Sequence, residues 1–202
     1  MKKLILPLLL VFFLLLGAAE SRAAFTMEDE MKLGRESYEK IKGRGLLIED
    51  GEINEYLRRI GDLITEQGQE TPFRFTYSVI DSRGINAFAT PGGYVYLYRG
   101  LIELTENESQ LAGVMAHEIA HVRARHIAQA IEKSQKISLA TLAAIVAGAV
   151  LGGGGEATAA ITSFSMATAT SLNLKYSRQH EEEADRLGMA YLTGAGYDGR
   201  AM

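Results

Sequence analysis

There is no cysteine among the 202 residues, and that absence removes several functions at once. No disulfide can staple the fold, no thiolate can hold a metal, and no lipid can be attached to a cysteine after export. Any metal site must be built from histidine and carboxylate. Histidine is itself scarce, with four in the chain. Strong positive charge is missing as well: the formal net charge is −4, which gives nucleic acid no reason to bind. Finally, no uninterrupted apolar run reaches the roughly 20 residues that a membrane-spanning helix needs. The length leaves room for one sizeable core, or for one domain and a tail.

The first residues that are present read as an address. Met1-Lys2-Lys3 is a basic start, residues 4–16 are an apolar stretch, and small residues follow with a cleavage signal at Ser21-Arg22-Ala23. Residues 1–23 are therefore expected to be a signal peptide for export to a bacterial periplasm, the competing reading being an uncleaved anchor. The domain proper is expected over 24–202.

Hydrophobic periodicity then divides the chain. Thr26 and Asp29 have capping-box spacing, and Met27, Met31, Tyr38 and Ile41 recur at helical intervals. A second amphipathic helix is expected over 52–67, carried by Ile53, Tyr56, Leu57, Ile60, Leu63 and Ile64. From Phe73 the period becomes two, predicting a strand over 73–79. Two further short strands, 85–89 and 94–98, flank Thr90-Pro91-Gly92-Gly93, whose glycines supply a tight reversal. Such a hairpin just before a long helix can be an ordinary piece of sheet, or a cleft edge that pairs with an extended peptide. Thr105 and Glu108 suggest the cap of that long helix, with Leu111, Val114, Met115 and Val122 on its buried side. The series predicts an α+β domain, mostly helical, with a small mixed sheet to one side. Residues 137–172 are unusually rich in small apolar side chains around Gly152-Gly153-Gly154-Gly155. They read as two core or lid helices about a glycine hinge, or as a hairpin that touches the membrane.

The long helix carries His117-Glu118-Ile119-Ala120-His121. One helical turn separates the two histidines, so both imidazoles project from one face and can reach one tetrahedral Zn²⁺. Glu118, beside the first ligand, is placed to take a proton from an activated water. A third protein ligand is needed. His126 is nearest, but nine residues beyond His117 on a continuous helix is about half a turn round, so it should face solvent. The alternative is the charged block at His180-Glu181-Glu182-Glu183-Ala184-Asp185. Glu181 and Asp185 share a helix face there, one able to coordinate and the other to accept a ligand histidine's Nδ1–H. His180 is a rival ligand, and periodicity leaves the choice between His180 and Glu181 open.

Taken in order, Asn86-Ala87-Phe88-Ala89-Thr90-Pro91-Gly92-Gly93, the His117–His121 motif, and Ser177-Arg178 followed by Glu181, Glu183, Ala184 and Asp185 resemble the HtpX/BepA-like zinc metallopeptidases. These are gluzincins related to the CAAX prenyl endoproteases, and the resemblance covers about residues 28–202. It implies a zincin-like metallopeptidase fold, one Zn²⁺ per chain, and Glu181 as third ligand with His180 its neighbour. It also implies that Asp185 supports a ligand histidine and that the hairpin holds substrate through Asn86, Ala87, Phe88, Gly92 and Gly93. Membrane members carry clear spanning helices between the two metal motifs, for which 137–172 is marginal, so the periplasmic BepA-like branch fits better. Relatives there continue into a helical-repeat domain. Residues 198–202 read as mid-element, so that domain is expected to be absent.

The expected activity is hydrolysis of peptide bonds in misfolded or unassembled envelope proteins, with Glu118 as general base and Arg178 or Tyr176 donating to the oxyanion. Expected partners are polypeptides, outer-membrane clients among them, with peripheral membrane contact through 137–172. The competing readings are an envelope chaperone or assembly factor whose zinc is mainly structural or whose activity is latent, and a membrane-embedded HtpX-like protease.

Overall fold

Helix α1 (Met27–Gly43) starts where its capping box predicts: Thr26 Oγ1 accepts from the Asp29 N–H, and the Asp29 carboxylate accepts from the Thr26 N–H. Asp50 caps α2 (Gly51–Thr65) without a reciprocal bond, its side chain accepting from the Glu52 and Ile53 N–H groups. The structure, a computed structural model, describes residues 25–134 and 176–202. The signal peptide expected over 1–23 and the segment 137–172 lie outside the described residues.

Three strands follow, β1 (Thr76–Ile80), β2 (Ala87–Thr90) and β3 (Tyr94–Tyr98), arranged β1-β3-β2. β1 runs parallel to β3 and β2 antiparallel to it, so the sheet is mixed and β2 is an edge. Residues 46–48 lie against the other margin, where Ile48 N–H reaches Val79 and Asp81 N–H reaches Leu46. The hairpin turn uses Gly92 and Gly93 at φ +82° and +97°, a backbone region that favours glycine. The strand expected from 73 begins later, at Thr76, and Phe73 and Phe75 are apolar approach residues packed on the core.

A short helix α3 (Arg99–Leu104) leads into α4 (Glu108–Arg123), which carries the histidine motif. Its cap is Asn107, whose side chain accepts from the Gln110 N–H, and not the expected Thr105 pairing. Glu108 is instead held by the hydroxyls of Tyr56 and Tyr197. Helix α5 (His126–Ser134) follows a break at Ala124 and Arg125, and α6 (Arg178–Gly194) and a 3₁₀ turn (Gly199–Ala201) complete the described chain.

Strand alternation sends Val79, Ala89, Val95 and Leu97 to one face of the sheet. They meet Leu57, Ile60 and Ile64 of α2, Leu111, Met115 and Ile119 of α4, and Leu192 of α6. The opposite face presents Ile80, Tyr96, Tyr98 and Phe88 to Tyr38 and Ile41 of α1. Helices therefore cover both faces, and the sheet sits between layers where it was expected to one side. Helix α4 is central: it runs along β2 and packs most extensively on α6. That approach is close because α6 has Gly188 at the crossing, where a Cβ would stand 3.1 Å from the backbone N of His117. The crossing lays the first turns of α6 over the histidines.

Candidate metal centre

On α4, His117 and His121 point the same way, with their Nε2 atoms 2.9 Å apart. From α6, Glu181 Oε2 lies 3.5 Å from His117 Nε2 and 3.8 Å from His121 Nε2. Among the described residues, these three can hold one metal ion. The N-terminus of α6 is fixed by Ser177, whose hydroxyl accepts from the His180 N–H, and this sets which residues of the charged block face α4. His180 turns elsewhere: it is buried, with its ring parallel to that of His126 at 4.4 Å.

The two histidines have different surroundings. His117 has a quarter of its side chain exposed, and its Nδ1 is 2.9 Å from the Asp185 carboxylate. His121 is 1% exposed, and its Nδ1 is 2.9 Å from Nδ1 of His126. Burial first, and then the neighbouring His117, His126 and His180, push the His121 imidazole down to about 3, which keeps it neutral. A neutral imidazole is the form that binds metal.

Glu118 is buried on the flank of α4 that meets the edge strand. Its carboxyl is pushed up to about 7, chiefly by burial and further by the charge of Glu181, while a hydrogen bond from the Ala89 backbone N–H opposes the shift. The register explains that contact. Tyr98 N–H bonds Asn86 O, so Phe88 and Thr90 also bond across to β3, whereas Ala87 and Ala89 turn their backbone groups outward.

His126 corrects the expectation of a solvent-facing residue. It is 0% exposed, because α4 stops at Ala124 and Arg125 takes φ +55°. One continuous helix would carry His126 half a turn away, and the break swings it back toward His121. Its Nε2 then lies 3.3 Å from Glu183, a second residue that the sequence reading gave no role. No glycine or proline stands at 124 or 125 to mark this break.

The remaining expected residues divide. Tyr176 lies in the site, its ring stacked on His121 at 3.8 Å, and burial pushes its hydroxyl pKa up, with Glu118 and Glu181 adding to the effect. Arg178 opens α6 exposed, its side chain making no hydrogen bond or ion pair to another described residue. Asn86, Ala87 and Phe88 line the outer strand, Asn86 exposed and the other two partly buried. Gly92 and Gly93 are not brought to that edge; they are buried in the turn, Gly92 against α1 and Gly93 against Arg74.

Comparison with known proteins places the chain among metallopeptidases. The chain is 38% identical over 181 residues to a putative beta-barrel assembly-enhancing protease of Vibrio cholerae, covering 89% of this chain and 37% of that protein. It is 32% identical to the beta-barrel assembly-enhancing protease of Escherichia coli strain K12, with the same coverage of 89% and 37%. It is 27% identical to the mitochondrial metalloendopeptidase OMA1 of Schizosaccharomyces pombe, over 87% of this chain and 50% of that protein. The chain thus spans well under two thirds of the length of these relatives. Residues 51–202, from the first residue of α2 onward and including α4 and α6, match Peptidase family M48, and the chain belongs to that family.

Proposed function

We propose that this domain is a zincin-like, zinc-dependent endopeptidase in which His117, His121 and Glu181 hold the metal and Glu118 is the general base. The observation that carries the reading is the convergence of two imidazole nitrogens and one carboxylate oxygen from α4 and α6 beside a buried glutamate. Ligand atoms about 2.0–2.1 Å from a tetrahedral ion stand about 3.3 Å from one another. The observed separations of 2.9, 3.5 and 3.8 Å bracket that value. The donor set, nitrogen and oxygen without sulfur, suits zinc with a fourth position left for water or substrate. When bound, the ion supplies Lewis acidity and makes water a nucleophile near neutral pH.

The protein's own groups supply the rest. Asp185 accepts the Nδ1–H of His117, which leaves the Nε2 lone pair for the metal. Glu118 takes the nucleophile's proton and returns it to the leaving amine. Ala89 N–H orients that carboxylate, and the outward groups of Ala87 with the carbonyl of Ala89 offer an extended peptide a strand to pair with. Tyr176, packed on His121 and close to Glu118, is a better oxyanion donor than the exposed Arg178.

The substrates proposed are unassembled polypeptides of the bacterial envelope, β-barrel clients included, and the location proposed is the periplasm. Support comes from the basic and apolar start of the chain and from relatives named for β-barrel assembly. Among the described residues no helix is long and apolar enough to cross a membrane. The test is Glu118→Gln, assayed on an unfolded protein substrate with zinc content measured in parallel. It should keep its metal and lose about 10²–10⁴-fold in turnover. Wild-type turnover in that variant would remove Glu118 from the mechanism.

A further inference from the structure

Outside the three metal-facing side chains, the least expected cluster in the fold is a buried histidine lying behind a ligand histidine. The line runs from His121 Nδ1 to His126 Nδ1 at 2.9 Å, and from His126 Nε2 to Glu183 Oε2 at 3.3 Å. We propose that His126 is a positioning residue for the metal centre: it accepts the Nδ1–H of His121, and Glu183 holds it in the tautomer that can do so. This rests on the reading of His117, His121 and Glu181 as metal ligands.

Proton counting carries the assignment. Nε2 of His121 faces Nε2 of His117 and the Glu181 oxygen, so it must present a lone pair to a metal, and its proton sits on Nδ1. Two ring nitrogens 2.9 Å apart need one proton between them: two would clash, and none would set lone pair against lone pair. His126 Nδ1 is therefore bare and its proton is on Nε2, where the Glu183 carboxylate accepts it. Each ring nitrogen in the line then has a use. The need is strict because His121 and His126 are 1% and 0% exposed, and an unsatisfied buried polar atom is costly.

The local fold is arranged to bring this about. On an unbroken helix His126 would have been carried to the far side of α4. The left-handed turn at Arg125 prevents that, and the turn is fastened from α1: the Arg125 guanidinium pairs with Glu30, which is itself buried, and Gln129 caps the freed Ala124 carbonyl at 2.8 Å. His180 then covers the outer face of the His126 ring at an interplanar angle of 12°. Glu183 reaches in from α6, two residues from Glu181, so one helix supplies both a proposed ligand and the far end of the line.

The test uses the full chain and Zn²⁺ alone, with affinity read by competition against a chelator and folding read by circular dichroism. His126→Leu fills the space without an acceptor and should weaken zinc binding about 10–100-fold. His126→Asn places an amide oxygen near the Nδ1 position and should restore affinity to within a few-fold of wild type. His126→Gln, whose oxygen falls nearer the Nε2 position, should not. Equal affinity for the Leu variant and the unaltered protein, or Asn no better than Gln, overturns the proposal. A second readout needs no variant. In zinc-loaded, ¹⁵N-labelled protein, long-range ¹H–¹⁵N spectra should show His121 protonated at Nδ1 and His126 at Nε2, and the opposite tautomer at His126 overturns the assignment. If the unaltered protein binds no zinc, or binds it as well without His117, the metal-site reading itself has failed, a result separable from failure at His126 alone.

Discussion

The two histidines of α4 are one turn apart and face the same point, yet they are supported in different ways. His117, at the rim, is backed by Asp185, a carboxylate whose side chain is 68% exposed. His121, in the core, is backed by another imidazole, and the carboxylate appears only one step further out, as the half-exposed Glu183. Desolvation accounts for the difference. An ionised carboxylate against His121 would have to be buried as deeply as His121 is, and burying a charge is far more costly than burying a neutral ring. A neutral histidine lets the acceptor be placed inside while the charge stays near water. The rim arrangement needs only one side chain on α6, whereas the core arrangement needs a helix break, a left-handed residue and an ion pair from α1.

Removing each histidine in turn should separate the two arms most widely. Both His117→Ala and His121→Ala should abolish tight zinc binding. In the metal-free protein only His121→Ala should be costly, by about 2–3 kcal/mol, because it opens a cavity and strands His126 Nδ1. Thermal melts of the two metal-free variants decide it, and equal melting temperatures would mean the core arm carries no structural load. The next effect is Asp185→Ala, which should lower zinc affinity about 10–100-fold by freeing the His117 ring. Its metal-free melting temperature should match wild type, since an exposed carboxylate contributes little to folding. A clear loss of stability there would make the rim arm structural too.

The rim arm was legible in the sequence and the core arm was not, for reasons that lie in particular residues. His117 and His121 on one helix, and Glu181 and Asp185 on another, sit at helical spacings that run unbroken. Periodicity therefore puts each pair on one face, while the choice of Glu181 over His180 came from the family resemblance. His126 depends on a break that no glycine or proline announces and that a partner 95 residues earlier, Glu30, helps hold. The third strand and the turn at Gly92 and Gly93 were read at their observed positions, because alternation and φ > 0 requirements are local. The buried face of α1 was read in part: Ile41 is buried and Met31 and Tyr38 pack on the core, but Met27 is exposed and the rest of the face was missed. Leu33, Gly34 and Ser37 line it, and small residues leave no apolar signature although they let the helix approach the hairpin turn, where a Cβ on Gly34 would stand 1.9 Å from the Pro91 carbonyl. Asn107, not Thr105, caps α4, because Thr105 closes the preceding helix α3 and its hydroxyl donates back to the Ile102 carbonyl.

The smallest predicted effect bears on how the core arm is fastened. Glu30 is 2% exposed, and burial raises its carboxyl above the ordinary 4.5, an effect larger than the opposing pull of Arg125. A raised carboxyl means the folded state holds its proton more tightly than the unfolded chain does. Below pH 4.5 both states are protonated and the group is neutral to stability. As pH rises from 4.5 through the folded value, the unfolded chain releases its proton first and the contribution of Glu30 to stability declines. Glu30→Gln has no such dependence, so its stability relative to wild type should rise between pH 4 and pH 7 in urea melts of metal-free protein. A gap that instead moves toward wild type as pH rises would show that the Arg125 contact outweighs desolvation. The core arm would then be fastened by a net-favourable ion pair, and the cost of reaching the buried histidine would lie elsewhere, in the left-handed turn at Arg125.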